Sequence, residues 1–167
     1  ETTALNARRG ILSIALSAVD LALWDLVGKA LQAPVYQLLG AFTDQVPCYA
    51  SAGLYGKGKG EKALAEEMQG YVEQGFRDVK MKVGGVSLEE DVKRVKAVRD
   101  AVGPNARLMV DANYTLNVPT SLKMAQAFEP HEIYWLEAPV SPDDVSGQAK
   151  VNALSPIPVC GNETETG

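Results

Sequence analysis

The sequence predicts an α/β fold, a partial (β/α) barrel of about five parallel strands preceded by helices, and three observations predict it. Apolar helical pattern fills the N-terminal stretch as far as Asp44, strand-like and helix-like segments alternate after it, and the strand ends recur at near-equal spacing.

The elements follow in order. Ile11 to Leu31 is rich in Ala and Leu, poor in turn formers, and carries Gly28 near its end, which predicts a helix. Its most apolar part, Ile11 to Val27, is interrupted by Asp20 and Asp25 and falls short of the roughly 20 apolar residues that a membrane span needs. It also lacks the basic start and small-residue cleavage site of a signal peptide, so it reads as a buried helix of a soluble protein. Pro34 is suited to open a second short helix that stops at Gly40. After Asp44 the expected strands are Val46–Ala52, Arg77–Val83, Leu108–Asp111, Ile133–Glu137 and Ile157–Gly161. The expected helices between them are Glu61–Gln74, Leu88–Val102 with Ser87 as N-cap and Gly103 beyond its end, Thr120–Phe128, and Asp144–Leu154. Strands that alternate with helices pair in parallel, because each crossover helix returns the chain to the same end of the sheet.

The strand ends fall at Lys82, Asp111, Glu137 and Glu163, at intervals of 29, 26 and 26 residues. One βα unit takes about 30 residues, so each interval holds a single unit. Near-equal units favour a closed barrel over an open doubly wound sheet, and no dinucleotide glycine fingerprint follows any of these strands. The change of pattern places one domain at 1–44 and a second at 45–167.

Composition narrows the function classes. With 167 residues, 46% of them hydrophobic and 22% charged, the chain can bury a core of ordinary size. A net charge of −5, and short basic runs at Lys57/Lys59 and Lys93/Arg94/Lys96 without a recognition motif, exclude nucleic acid as an expected partner. Cys48 and Cys160 lack both metal-ligand spacing and a disulfide framework, which points to a reducing compartment, the cytoplasm.

Three of the strand ends are carboxylates: Asp111 in LMVDAN, Glu137 in YWLEAP and Glu163 in GNETE. In a barrel such positions meet on the C-terminal face, where catalysis is built. Carboxylates crowded together repel one another unless a cation or protons neutralise them. Oxygen ligands select a hard cation, and few protein ligands favour magnesium over calcium, because sites are left for water and substrate. Taken singly, each acid could instead cap the next helix or face solvent. Glu165 competes with Glu163, which is preferred because it keeps the 26-residue interval.

Lys80 and Lys82 in VKMKVG are the second signal. Residues i and i+2 of a strand share a face, so both lysines point into the barrel while Met81 turns toward the helices. Two buried ammonium groups need acids or a ligand to answer them. Crowding of like charge would lower a lysine's affinity for its proton and suit it to act as a base. On an edge strand both would simply be in water. Asn113, two residues after Asp111, can face the same cavity and bond a ligand, or be an ordinary turn residue. The GKGKG run at Gly56–Gly60 lacks the Ser or Thr that a phosphate loop requires and reads as a mobile loop. His131 falls in a helix-to-strand connection, away from the strand ends.

These residues together resemble the enolase superfamily and, within it, the mandelate racemase/muconate lactonizing enzyme group. AVDLALWDLVGKALQAPVYQLLG resembles the helix pair that joins that group's α+β capping domain to its TIM-type barrel. VPCYAS resembles the first barrel strand, VKMKVG the second with its Lys-x-Lys motif, and VDAN, WLEAP and the region ending in Glu163 the next three. The resemblance implies that 1–44 is the C-terminal helical part of the capping domain and 45–167 the first portion of the barrel. It implies a magnesium ion on Asp111, Glu137 and Glu163 that binds a substrate carboxylate. Lys82 would remove the proton next to that carboxylate, through an enediolate intermediate, while Lys80 helps to hold the carboxylate. The substrate would be a small carboxylate, a sugar acid foremost, and the complete enzyme a homo-oligomer with no membrane partner. Ala138 departs from the group's pattern, standing where a second glutamate often follows the metal ligand.

Sugar-acid dehydration is the favoured outcome. Racemisation and cycloisomerisation are alternatives, as are a Schiff-base lysine in an aldolase-like barrel and a barrel remnant that only binds. An eight-stranded barrel takes roughly 250 residues, so the chain is expected to be a piece of its enzyme, inactive alone, with free edges on its first and fifth strands.

Overall fold

The computed structural model describes residues 11–161. The chain divides into two compact units at Pro47/Cys48. The first holds helices α1 (Ile11–Leu31) and α2 (Val35–Leu38). Gln32 leaves the helical region with φ 53°, and its N–H and that of Ala33 return to the carbonyls of Lys29 and Gly28, closing α1. Pro34 caps α2, and Gly40, at φ 81°, follows its end. Gly28 is the buried residue of α1, and a Cβ there would lie 2.9 Å from the Ala33 carbonyl oxygen.

Sequence pattern and structure agree on α1 as a helix but differ on its burial. Ile11, Ile14, Val19, Leu21, Leu26 and Leu31 are exposed, and only 6% of its most apolar window is buried. The physical reason is that α1 is apolar on all sides, whereas α2, its partner within the unit, is four residues long. With 21 residues it is also long and apolar enough, by length and composition, to cross a membrane, longer than its apolar run suggests.

The second unit contains five strands among the described residues: β1 (Ala50–Ser51), β2 (Asp78–Lys82), β3 (Arg107–Asp111), β4 (Ile133–Glu137) and β5 (Val159–Cys160). All four pairings are parallel, and the strands lie in the order β1-β2-β3-β4-β5. Four helices connect them: α3 (Glu61–Glu73), α4 (Leu88–Val102), α5 (Val118–Phe128) and α6 (Val145–Leu154), with a 3-10 turn at Glu129–His131 before β4. Right-handed crossovers that always step to the next strand in one direction put every helix on the same face. That is the winding of a barrel wall; a doubly wound sheet reverses its strand order. Among the described residues β1 and β5 each pair on one side only.

Local chemistry sets the helix ends. Ser87 and Glu90 form a reciprocal capping box at α4, and Gly103 ends that helix at φ 76°. Asn117 accepts from the Thr120 N–H to start α5, with Pro119 in its first turn, so the helix begins two residues earlier than Thr120. Asp144 caps α6 through the Gly147 N–H and is not itself helical.

The core lies between sheet and helices. Val79, Met81, Leu108, Val110 and Leu136 meet Leu64 and Met68 of α3, Val95, Val98 and Val102 of α4, and Met124, Ala125 and Phe128 of α5. Alternation along β2 sends Val79 and Met81 into this core and leaves Asp78, Lys80 and Lys82 for the opposite face. β4 carries an extra residue, since Leu108 pairs with Ile133 but Val110 with Leu136. The bulge puts Leu136 in the core and Glu137 beside Asp111.

Candidate active site

Backbone register builds the site. Lys82 of β2 pairs with Asp111 of β3, Asp111 with Glu137 of β4, and Glu137 with Cys160 of β5. One row of residues therefore crosses four adjacent strand ends. Adjacent strands lie about 4.8 Å apart, so long side chains in the row can touch.

Lys80, one turn of the pleat before Lys82, reaches up into this row. Its Nζ donates to Glu137 Oε1 at 2.6 Å and lies 3.3 Å from Asp111 Oδ2. Lys82 Nζ donates to Asp111 Oδ2 at 2.6 Å and to Asn113 Oδ1 at 3.2 Å. The Asn113 N–H closes back on Asp111 Oδ1 at 2.9 Å, and Asn113 takes up φ 48° to do so. The sequence thus brings Lys80, Lys82, Asp111, Asn113 and Glu137 into one cluster. The Lys80 side chain is 8% exposed and that of Lys82 27% exposed, so the two lysines sit at different depths.

The charges decide the protonation. Burial works against the Lys80 ammonium, but the hydrogen bond and charge of Glu137 and the charge of Asp111 outweigh it and hold its pKa above the usual lysine range. At Lys80 the outcome runs against the general expectation that crowding of like charge lowers a lysine's affinity for its proton, because the two acids raise it. Burial likewise raises the Asp111 pKa, yet the bond from Lys82, the Asn113 N–H and both ammonium charges win and lower it.

Two aromatic residues near Glu137 escaped the sequence reading. Trp135 Nε1 donates to Glu137 Oε2 at 3.1 Å, and the Tyr49 ring lies 5.4 Å from Lys80 Nζ and edge-on to Trp135. The i, i+2 rule that paired the lysines also finds Trp135, two residues before Glu137. Tyr49 has no comparable signal.

Glu163 and its competitor Glu165 lie outside the described residues. Among the described residues the register partner of Glu137 is Cys160. Among the described residues no three His, Cys, Asp or Glu side chains gather to hold a metal. Asp111 and Glu137 supply two anionic oxygen donors that already converge on one positive charge, the Lys80 ammonium. Hard oxygen donors closing on a cation suit magnesium, so the residues present fit it. In the GKGKG loop Lys59 donates to the Leu54 carbonyl and pairs with Glu67. His131 sits in the 3-10 turn before β4, at the opposite end of the strands from the row.

The chain matches the family described as "Enolase C-terminal domain-like" over residues 63–167, and the N-terminal domain of mandelate racemase/muconate lactonizing enzyme over residues 2–40. It is 37% identical to arabinonate dehydratase from Saccharolobus solfataricus, with 94% of this chain and 42% of that protein aligned. Among solved structures, the 3,6-anhydro-D-galactonate cycloisomerase from Zobellia galactanivorans superposes with a TM-score of 0.85 at 40% identity, over 95% of this chain and 44% of that one. A racemase from Streptomyces coelicolor with bound magnesium superposes at 0.86 with 37% identity, over 96% of this chain and 47% of that one. The chain therefore spans less than half the length of these relatives. Its wall of parallel strands and the match over most of its residues agree: the chain belongs to the enolase superfamily, in its mandelate racemase/muconate lactonizing enzyme group.

Proposed function

We propose that the complete protein removes the proton next to the carboxylate of a small acid, with Lys82 as the base, and that its outcome is dehydration of a sugar acid. The observation that carries this reading is the row Lys82–Asp111–Glu137, with Lys80 held beneath it. The two lysines suit different tasks. Lys80 is the deeper, with its Nζ between Glu137 and Asp111, which suits it to hold a substrate carboxylate. Lys82 lies nearer the open end of the strands, with Asn113 beside it to orient Nζ or bond a substrate hydroxyl.

Asp111 and Glu137 would hold magnesium together with Glu163. A bound magnesium ion would supply positive charge against the charge that builds on the substrate carboxylate, without which an α-proton is too weak an acid to be taken. Lys82 accepts the α-proton at Nζ and leaves an enediolate. The β-carbon then loses its hydroxyl with the C–O electron pair; the hydroxyl takes a proton from solvent while Lys82 returns the proton it gained to solvent, so that one water is lost overall. The relative named an arabinonate dehydratase supports a sugar acid as substrate. Cycloisomerisation is the second reading, favoured by the 40% identity to an anhydrogalactonate cycloisomerase. In the same reading, 1–44 is the helical part of the capping domain, 45–167 opens the barrel, and the enzyme works as a cytoplasmic homo-oligomer.

The test is exchange of the α-proton of arabinonate and related sugar acids in deuterated water, followed by NMR, with magnesium and with EDTA. Exchange that needs magnesium and disappears in Lys82→Ala supports the reading. Exchange that survives EDTA, or that persists in Lys82→Ala, sinks it, and borohydride trapping of a lysine without metal would turn it toward Schiff-base chemistry.

A further inference from the structure

On the helix side of Lys82 lies a polar cluster that the proposed chemistry leaves unused. Asp91, in the first turn of α4, is completely buried. Its Oδ2 accepts from the Gly84 N–H at 2.6 Å, and its Oδ1 accepts from the Tyr55 hydroxyl at 2.7 Å and from Arg94 Nη1 at 2.6 Å. The Tyr55 hydroxyl in turn accepts from the Gly85 N–H at 2.9 Å. Arg94 lies over the Tyr55 ring, 3.9 Å from its centroid. Arg94 Nη1 also donates to the main-chain carbonyl of Lys82 at 3.0 Å, and Nη2 to that of Gly53 at 3.3 Å. The Gly53 carbonyl accepts from the Lys82 N–H as well, at 3.4 Å. One guanidinium thus grips the chain on both strands where β1 and β2 end.

The glycines explain why a grip is needed. Gly53 and Gly84 have φ of 62° and 85°, and a Cβ on Gly53 would meet Met81 Cβ at 2.6 Å. A Cβ on Gly85 would meet the Tyr55 ring at 2.6 Å. The positive φ of Gly53 and Gly84 favours glycine, which brings no side chain to anchor its own loop. The anchoring comes from α4 and from Tyr55. A buried ion pair gives little net stability over an apolar pair of the same volume, so stability alone does not account for Asp91 and Arg94 at this place.

We propose that Arg94, braced by Asp91 and Tyr55, is a positioning residue that fixes the Lys82 main chain and thereby sets where Nζ meets the substrate. The inference rests on Lys82 being the base. A base displaced by 1 Å can lose about 100-fold in rate, whereas binding at Lys80, Asp111 and Glu137 is held by other contacts.

The experiment uses Arg94→Lys and Tyr55→Phe in the complete enzyme, with arabinonate as probe. Lysine keeps the charge beside Asp91 but cannot fork to both carbonyls. The expected result for Arg94→Lys is a kcat for α-proton exchange lowered roughly 10- to 100-fold, with KM and magnesium affinity within about twofold of wild type. Tyr55→Phe should show a smaller loss of kcat and faster hydrogen exchange at the Gly85 amide. A merely structural role would lower the folded fraction and leave kcat per folded molecule unchanged, and that result overturns the proposal. Unchanged amide protection at Gly84 and Gly85 in both variants also overturns it. Exchange that persists in Lys82→Ala is a different failure: it removes the base assignment while the amide measurements still judge the grip.

Discussion

Replacing Lys80 with methionine keeps the length of the side chain and removes one charge from a site that holds four. Lys80 Nζ lies 2.6 Å from Glu137 Oε1 and 3.3 Å from Asp111 Oδ2, and the three side chains are 8%, 10% and 6% exposed. Removing one partner of a buried ion pair costs about 3–5 kcal/mol, because the other charge is left without an answer. Lys82 still reaches Asp111 at 2.6 Å, and Trp135 still donates to Glu137 at 3.1 Å. Only Glu137 loses its cation, so the lower end applies, about 3 kcal/mol. Magnesium at ten times its Kd stabilises the folded state by about 1.4 kcal/mol, and the increment should be larger in Lys80→Met, where no ammonium competes for the same oxygens. Urea unfolding of both proteins, in EDTA and in magnesium, measures all four quantities. A loss below about 1 kcal/mol in EDTA would mean that water already screens the pair. Equal magnesium increments would mean that the metal does not meet these carboxylates.

Three further outcomes are expected. Arg99 donates to the carbonyls of Gly103, Ala106, His131 and Glu132 at 2.7–3.0 Å, so Arg99→Met should cost about 2–4 kcal/mol in a urea melt; a loss under about 0.5 kcal/mol would show those carbonyls to be satisfied by water. Phe128 is fully buried between α5 and the sheet, and Phe128→Ala should cost about 3–5 kcal/mol without shifting KM, an expectation that a change in KM would contradict. Burial, helped by Asp91 and opposed by the Gly85 N–H and Arg94, pushes the Tyr55 hydroxyl up to about 12 from an ordinary 10.0. A raised pKa means stability that is intact below pH 10 and lost as pH rises toward 12, so the stability difference between wild type and Tyr55→Phe should hold to pH 10 and shrink above it. An ordinary phenolate titration near 10 in the folded protein would contradict this.

Much of the fold was legible because period and punctuation agreed. Val79 and Met81 alternating with Lys80 and Lys82, the Ser87 cap and Gly103 each point to one structure. The edge strands were read too long. Val46–Ala52 pairs only at Ala50–Ser51, and Ile157–Gly161 only at Val159–Cys160, since composition shows β propensity but not whether a neighbour is there to pair. The lysines and Asp111, Glu137 and Asn113 were legible because strand ends of a barrel share a face. Asp91 and Arg94 were not. At i, i+3 on a helix with Glu89, Glu90 and Lys93 around them, they look like any surface ion pair, and nothing in the sequence says that their targets are main-chain atoms of another element. The burial of α1 was misread for a related reason: its sequence specifies an apolar surface but not what meets it.

The row from Lys82 through Asp111 and Glu137 has one more consequence. Its lateral spacing is a property of peptide hydrogen bonds, which are the same whatever loops and helices intervene. Changing the loop residues beyond Asn113 would alter the surroundings of the row while the charged side chains stayed at their stations. A family built this way can change what it binds by editing one loop at a time while the row of charged side chains is kept.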